Sequence, residues 1–149
     1  MRAQETSGAS LPPMLRKCWM RLNALFQKRV AAVGLTPDQY IVLRWLHDLP
    51  DGSVHQTTLK RLMFTDPNNI AGLMGRMEKR GLVHRRKDPA DGRRNLVFTT
   101  EKGKSSFLLA KKIADSLEEE VIGSFSKEEK DDFLELLAKI NQFLHSEND

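Results

Sequence analysis

The sequence has little of what stabilises small secreted proteins or anchors chains in membranes. Its 149 residues include one cysteine, Cys18, which excludes an internal disulfide and suits a reducing cytoplasm. Apolar runs such as 107–110 fall far short of the ~20 residues that cross a bilayer, and residues 1–13 lack the apolar core of a signal peptide. We therefore expect one cytoplasmic, non-membrane domain between a flexible tail at 1–13 and a short tail at 146–149.

Residue sets that would support catalysis or hold a metal are also missing. The histidines are scattered and have no ligand-like spacing with each other or with Cys18: they are His47, His55, His84 and His145. There is no Ser-His-Asp set and no phosphate-binding loop. The sequence thus predicts no metal site, no cofactor and no enzyme.

Charge is present in quantity and is strongly segregated along the chain. Residues 76–94 contain eight basic and three acidic residues, whereas residues 115–149 contain eleven acidic and three basic ones. The first segment therefore carries a net +5 and the second a net −8. This pattern predicts a middle that attracts polyanions and a solvated acidic end, although two ordinary charged faces would produce the same count.

The two ends of the chain carry long helical stripes of apolar residues. Steps of three and four place these residues on one face of helices at 15–33, 100–122 and 126–145. A core built by residues 37–99 is too small to cover all of these stripes. We therefore expect segments 14–36 and 100–145 to form a helical dimerisation region shared with a second copy.

Residues 57–80 have the pattern of a helix-turn-helix, whose second helix runs from Pro67 to about Arg80. In this motif the second helix enters the DNA major groove and its first residues meet base edges. The predicted contacts on this helix are Asn68, Asn69, Ala71, Gly72 and Arg76. Asparagine can bond adenine at two points; the alternative is that the asparagines only cap the helix.

Two strand-like runs, 82–87 and 95–99, flank the turn 88–92 and predict a hairpin with a basic tip. Such a hairpin beside a helix-turn-helix is a wing, and the tip residues Asp91, Arg93 and Arg94 are predicted to reach DNA, with Arg93 in the minor groove. Contacts with phosphates are expected from Lys60, Arg85, Arg86 and Lys87. The predicted fold is mainly α with a small β wing (α+β), a winged helix-turn-helix over residues 37–99 with dimerisation helices at both ends.

These motifs resemble the MarR family. The segment from Asp88 to Arg94 and the segment from Thr100 to Gly103 resemble the family's wing. Residues 70–83 resemble its recognition helix and exit, and residues 35–40 resemble its second-helix opening; the resemblance covers about residues 14–145. It implies a dimeric winged-helix transcription regulator whose first and last helices form the dimer.

The resemblance also suggests how such a regulator is switched. Many relatives bind a small aromatic or anionic effector between the dimer helices and the DNA-binding part, where Trp19, Tyr40 and Trp45 could line a pocket; the alternative is that these rings belong to the core. Cys18 is a candidate redox residue because Arg16 and Lys17 are close. A half-buried, inert thiol is the commoner case in an amphipathic helix.

The sequence therefore predicts a homodimeric, sequence-specific regulator of double-stranded DNA, a repressor on a pseudo-palindromic operator that a small-molecule effector could relieve. The alternative is a dimeric winged-helix module that binds protein and not specific DNA. The basic segment at 76–94 separates the two, because a protein-binding module has little need of a cationic wing tip.

Overall fold

A computed structural model describes residues 10–146 of the chain. These residues form six α-helices and a three-stranded sheet: α1 (Leu11–Val30), α2 (Pro37–Asp48), β1 (Ser53–His55), α3 (Gln56–Leu62), α4 (Pro67–Lys79), β2 (Val83–Lys87), β3 (Asn95–Thr99), α5 (Glu101–Ile122) and α6 (Lys127–Ser146). The predicted fold class is thereby confirmed, and the predicted segment 37–99 contains α2 through β3. None of the helices within 10–146 is long and apolar enough to cross a membrane.

Most helix ends follow the capping residues in the sequence. At the start of α2, the Thr36 hydroxyl accepts from the Gln39 amide at 3.3 Å and the Gln39 side chain accepts from the Thr36 amide at 3.1 Å. This reciprocal pair is a capping box, which the spacing of Thr36 and Gln39 in the sequence predicts. Two predicted boundaries are wrong. The apolar stripe predicts that α1 begins at Leu15, but it begins at Leu11. The sequence also predicts that Thr57 caps α3, but α3 begins at Gln56 without a side-chain cap.

The sheet is built from β1 and the predicted hairpin. Strand β3 lies in the centre and pairs antiparallel with β1 on one side and with β2 on the other. Val97 of β3 pairs with Val54 of β1 on one side and with Arg85 of β2 on the other, and its side chain is fully buried. The hairpin is therefore held at its base by a third strand, and its far end is left to project.

The chain divides into two compact units, up to Ile113 and from Ala114 onward. The core of the first unit is formed by apolar residues of α2, α3, α4, the sheet and α5: Val42, Leu43, Leu46, Leu59, Met74, Met77, Leu82, Val97 and Phe107. All of these residues are less than 2 % exposed. The helical pattern predicts that Leu62 faces inward as well, but it is only half-buried.

The second unit contains the end of α5 and α6. The Ser126 hydroxyl accepts from the Glu129 amide at 3.1 Å, and the Glu129 carboxylate accepts from the Ser126 amide at 2.8 Å. This is a capping box, which the spacing of the two residues in the sequence predicts. The apolar seam of α6 is largely exposed, with Phe133 43 % and Leu144 51 % accessible. On α5, the apolar stripe predicts that Val121 faces inward, but Val121 is 49 % exposed.

Candidate nucleic-acid interface

The recognition helix α4 begins at a cap made by Asp66. One carboxylate oxygen accepts from the Asn69 main-chain amide at 2.8 Å, and the other accepts from the Asn69 side-chain amide at 2.9 Å. Asp66 is therefore the capping residue, and neither asparagine caps the helix. Asn68 lies beside this pair with its side chain exposed. Of the two asparagines, Asn69 is thus engaged by the cap, whereas Asn68 presents its amide to solvent in the first helical turn.

The outer face of α4 opens onto a surface recess of about 310 Å³. Asn68, Asn69, Gly72 and Arg76, four of the predicted recognition residues, line this recess. Ala71 is exposed on the same helix. A side chain at Gly72 would come within 3.1 Å of the Arg76 guanidinium, so the glycine leaves room for that cation. This part of α4 therefore offers amide and guanidinium donors around a polar recess.

The wing tip presents one cation in a fixed position. The Arg93 guanidinium donates from Nε to Asp91 Oδ1 at 3.1 Å and from Nη2 to Oδ2 at 3.4 Å, while its main-chain amide also donates to Oδ1. These bonds hold the pKa of the Asp91 carboxyl below its ordinary value. The Arg93 side chain is nevertheless 91 % exposed. The tip therefore displays an oriented guanidinium to solvent.

The Arg85 side chain, predicted to contact a phosphate, is already hydrogen-bonded within the protein. Its guanidinium donates to Glu78 Oε1 at 3.2 Å and to Gln56 Oε1 at 3.3 Å, and its amide donates to Glu78 Oε2 at 3.0 Å. The hydrogen bond from the Arg85 side chain lowers the pKa of Glu78. Because Arg85 joins α4 to the start of α3 and to the wing, its charge is already largely matched.

The remaining basic residues of the wing are more exposed to solvent than Arg85. Arg86 lies over the Phe98 ring, with 4.4 Å between the guanidinium carbon and the ring centroid. His84 stacks on the same ring at 5.0 Å. Of the other predicted phosphate contacts, Lys87 is exposed and Lys60 on α3 is half-buried. Arg94, which is predicted to reach DNA from the wing tip, is exposed as well. Lys87 and Arg94 are thus better placed than Arg85 to meet a polyanion.

Two contacts at this face were not foreseen from the sequence. His55 Nε2, at the end of β1, donates to Asp88 Oδ2 at 2.6 Å, and Ala90 donates its amide to the other Asp88 oxygen at 2.9 Å. The His55 hydrogen bond is the main cause of a lowered pKa at Asp88. The second unforeseen contact is the ion pair between Glu78 and Arg85. The first contact joins residues 33 apart, and the second joins α4 to β2 across seven residues, so no spacing within one helix or strand points to either.

The residues proposed for switching lie in different environments. Tyr40 is a core residue, 6 % exposed, with its ring against Phe26 at 5.1 Å and Phe107 at 5.7 Å. Trp19 and Trp45 are exposed, at 56 % and 37 %. Cys18 is exposed as well, contrary to the half-buried setting that is commoner for a thiol on an amphipathic helix. Across residues 10–146, no three His, Cys, Asp or Glu side chains gather as metal ligands would.

The chain is similar to known transcription regulators over most of its length. Residues 33–94 match the MarR family. The chain is 36 % identical over 129 residues to the transcriptional regulator HosA of Escherichia coli O111:H-, covering 83 % of this chain and 94 % of HosA. It is 32 % identical over 127 residues to the repressor NicR of Pseudomonas putida, covering 85 % and 79 % of the two chains.

A solved structure adds a DNA complex to this comparison. The transcriptional repressor CouR, bound to a 23-mer DNA duplex, matches with a TM-score of 0.80 and 29 % identity, covering 89 % of this chain and 92 % of CouR. The match with HosA extends from the family's domain to both flanking helical regions. With its winged helix-turn-helix, basic wing tip and these relatives, the chain belongs to the MarR family of DNA-binding transcriptional regulators.

Proposed function

We propose that the protein is a homodimeric repressor that binds a pseudo-palindromic operator. The observation that carries this proposal is the guanidinium of Arg93, which is held by Asp91 yet 91 % exposed at the wing tip. An exposed cation held in one orientation loses little side-chain entropy when it enters a narrow minor groove. The repressor NicR and the DNA-bound repressor CouR among its relatives support the same function.

In the proposed complex the recognition helix and the wing have different roles. Helix α4 lies in the major groove, where Asn68 and Arg76 contact base edges. The wing lies along the sugar–phosphate backbone of the DNA and reaches the adjacent minor groove. Lys87, Arg86 and Arg94 meet phosphates and fix the register without selecting sequence. Two copies related by a two-fold axis then place their half-site centres about 34 Å apart, one turn of the duplex.

The dimer follows from apolar side chains that one chain leaves in solvent. On α1, Trp19 and Leu22 are 56 % and 42 % exposed, and on α6 Leu136 and Phe143 are 57 % and 63 % exposed. A second copy that covers these helices would remove this surface from water. Light scattering should report a dimer at micromolar concentration, and charged substitutions at Leu22 and Leu137 should give monomer or unfolded protein.

A small aromatic or anionic effector would relieve repression. Of the three predicted pocket residues, Trp19 on α1 and Trp45 on α2 have exposed rings that could contact it, whereas Tyr40 is buried against Phe107. Ligand quenching of tryptophan fluorescence, lost in Trp45→Phe, would support such a pocket. An operator-binding repressor shares a compartment with the chromosome, which agrees with the cytoplasmic setting inferred from the single cysteine.

The test begins with selection of bound duplexes from a random library, because this yields a binding site directly from the protein's own preference. Arg93→Ala should weaken binding to the selected site by about 1–3 kcal/mol, most at A·T-rich flanks. Lys139→Ala is the matched control, since Lys139 is also an exposed cation paired with an acid, Glu135, at 2.9 Å. Selection of no sequence, or equal binding by Arg93→Ala and the parent, would instead favour the protein-binding module.

A further inference from the structure

The turn between α3 and α4 holds an aromatic ring in an unusual conformation. Phe64 has a φ of +49°, and among residues 10–146 no other non-glycine residue has a positive φ. Its side chain is also 83 % exposed, more than any other large apolar residue of the described chain. A bulky residue in the left-handed region costs free energy, and an exposed phenyl ring gains none from burial. The fold of one chain therefore does not explain this residue.

The hydrogen bonds of this turn show which residue the backbone favours there. The Phe64 amide donates to the Arg61 carbonyl and the Thr65 amide donates to the Lys60 carbonyl, the paired bonds of a Schellman helix end. The same pair of bonds ends α4 around Gly81, which has a φ of +72°. Glycine has no steric cost at such a position. Phe64 thus occupies a site that glycine fits with less strain.

The ring stands at the entrance to the recognition helix. Phe64 lines the same recess as Asn68, Gly72 and Arg76, the residues that face the major groove in the proposed complex. Only two residues separate it from the start of α4. Asp38, Met63 and Leu73 line the recess as well, so its donors stand beside one acid and some apolar surface. Phe64 adds the most exposed apolar side chain to this surface. An apolar contact is the type of base readout that Asn68 and Arg76 do not supply.

We propose that Phe64 is a specificity-determining residue that packs against the C5-methyl group of a thymine in the operator half-site. The inference rests on the proposed DNA-binding function and extends it to one base. In the major groove the thymine methyl is the only apolar group on a base edge, and phenylalanine is among the side chains that contact it. The turn before the recognition helix brings the ring to the groove edge together with Asn68.

The first experiment separates a DNA contact from a structural role. Phe64→Gly removes the ring and relieves the left-handed backbone, so the variant should unfold at equal or higher denaturant concentration than the parent. Its affinity for the selected duplex should nevertheless fall about tenfold or more. Phe64→Tyr keeps the ring and the strain, and should keep most of the affinity. A Phe64→Gly variant that binds the selected duplex as well as the parent would overturn the proposal.

The second experiment identifies the methyl group. Each thymine of one selected half-site is replaced in turn by uracil, which removes only the methyl. For the parent, one replacement should weaken binding about fourfold, as expected for one buried methyl-sized group. The same replacement should have no further effect on Phe64→Gly, because the two changes remove the same contact.

The outcomes of this pair of experiments are distinct. Equal loss by Phe64→Gly on selected and random duplexes, with no sensitive thymine, would overturn the role in specificity and place the ring on the sugar–phosphate backbone. Failure of the parent to select any duplex would instead reject the proposed function itself. Arg93→Ala, measured in parallel, distinguishes failure of the Phe64 proposal from failure of the proposed function. If Arg93→Ala loses affinity for the selected duplex and Phe64→Gly does not, only the role of Phe64 is rejected.

Discussion

Arg80 donates a hydrogen bond from Nη1 to the Oε1 atom of Gln39 at 3.0 Å, and so joins the end of α4 to the beginning of α2. The same Gln39 oxygen accepts from the Thr36 amide, and the side chain is 5 % exposed. The carbonyl of Arg80 in turn accepts from Lys102 Nζ at 2.7 Å, on α5. The end of the recognition helix is therefore held by α2, the first helix of the winged-helix segment, and by α5, the helix that follows this segment.

Gln39→Ala should destabilise the protein by about 1–3 kcal/mol. The substitution leaves the Thr36 amide and the Arg80 guanidinium without their shared acceptor in a largely buried position. The free energy of unfolding from denaturant titration measures the loss. Gln27→Ala, on an exposed position of α1, is the control and should change stability by less than ~0.5 kcal/mol. Equal effects of the two variants would show that the Gln39 bonds contribute nothing.

Gly103→Ala should destabilise the fold strongly. A methyl group at Gly103 would overlap the Leu82 carbonyl oxygen and lie 2.7 Å from the Thr99 hydroxyl. Backbone must move to admit it, at a cost of about 1–3 kcal/mol or more. Gly75→Ala is the control, because nothing lies within 4 Å of its added methyl and alanine favours the helix. Thermal unfolding should show a lower Tm for the first variant and an equal or higher Tm for the second.

The Asp91 carboxyl should titrate below its ordinary pKa, and Arg93→Ala should raise that pKa. The cause is the hydrogen bond from the Arg93 guanidinium, supported by the Arg93 amide. A depressed pKa stabilises the folded chain above the unfolded value of about 3.9 and loses this effect as the pH falls through the folded pKa. The wing pair is therefore intact at neutral pH. Carboxyl NMR titration of both proteins measures the shift, and identical curves would contradict the ion pair.

Lys87→Ala should flatten the salt dependence of operator binding more than Arg85→Ala does. An exposed lysine that neutralises one phosphate contributes about 0.9 to the slope of log K against log salt. Arg85 already donates to Glu78 and Gln56, so its removal should change the slope by less. Glu78→Gln should strengthen binding, because it removes an acid and leaves the Arg85 charge unmatched. A larger slope change for Arg85→Ala would show that DNA displaces Glu78.

Asn68→Ala should relax base preference at one position of the half-site, whereas Asn69→Ala should mainly affect the fold. The Asn69 side-chain amide donates to Asp66 at 2.9 Å, and Asn68 is exposed in the same turn. A lost adenine contact is worth about 1–3 kcal/mol of discrimination. Selection with each variant gives the base preferences, and denaturant titration gives the stabilities. Relaxed preference in Asn69→Ala alone would reverse these assignments.

The fold is predictable where local chemistry determines it. Thr36 with Gln39, Ser126 with Glu129, and Thr100, whose hydroxyl accepts from the Gly103 amide at 2.9 Å, all act as the caps expected from their spacing. The predicted start of α1 is wrong because the polar, small residues of segment 1–13 suggest a tail, whereas α1 begins at Leu11 and includes the prolines at 12 and 13. Prolines nevertheless fit a first helical turn, whose amides need no partner.

A pair as close in sequence as Asp91 and Arg93 is predictable, whereas a pair between different elements is not. The residues of α4 and of the wing tip lie on the expected elements, because a helix-turn-helix and a hairpin are local motifs. The bond from Arg85 to Glu78 joins α4 to β2, and the bond from His55 to Asp88 joins β1 to the end of the hairpin. Such pairs depend on the tertiary arrangement. The left-handed backbone of Phe64 is unexpected for a related reason, since sequence alone predicts glycine there.

The contact between His55 and Asp88 also determines where the wing can bend. Asp88 is held by the His55 ring and by the pairing of its own amide with the Arg94 carbonyl at 2.9 Å, so the hairpin is closed on both sides of residues 89–93. Any hinge is thereby restricted to this short tip, and the strands below it move with the sheet. Because the tip is short, it loses little conformational entropy when it binds DNA. The strands of the wing therefore keep the orientation of the sheet, and only residues 89–93 are left to adapt to the shape of the groove.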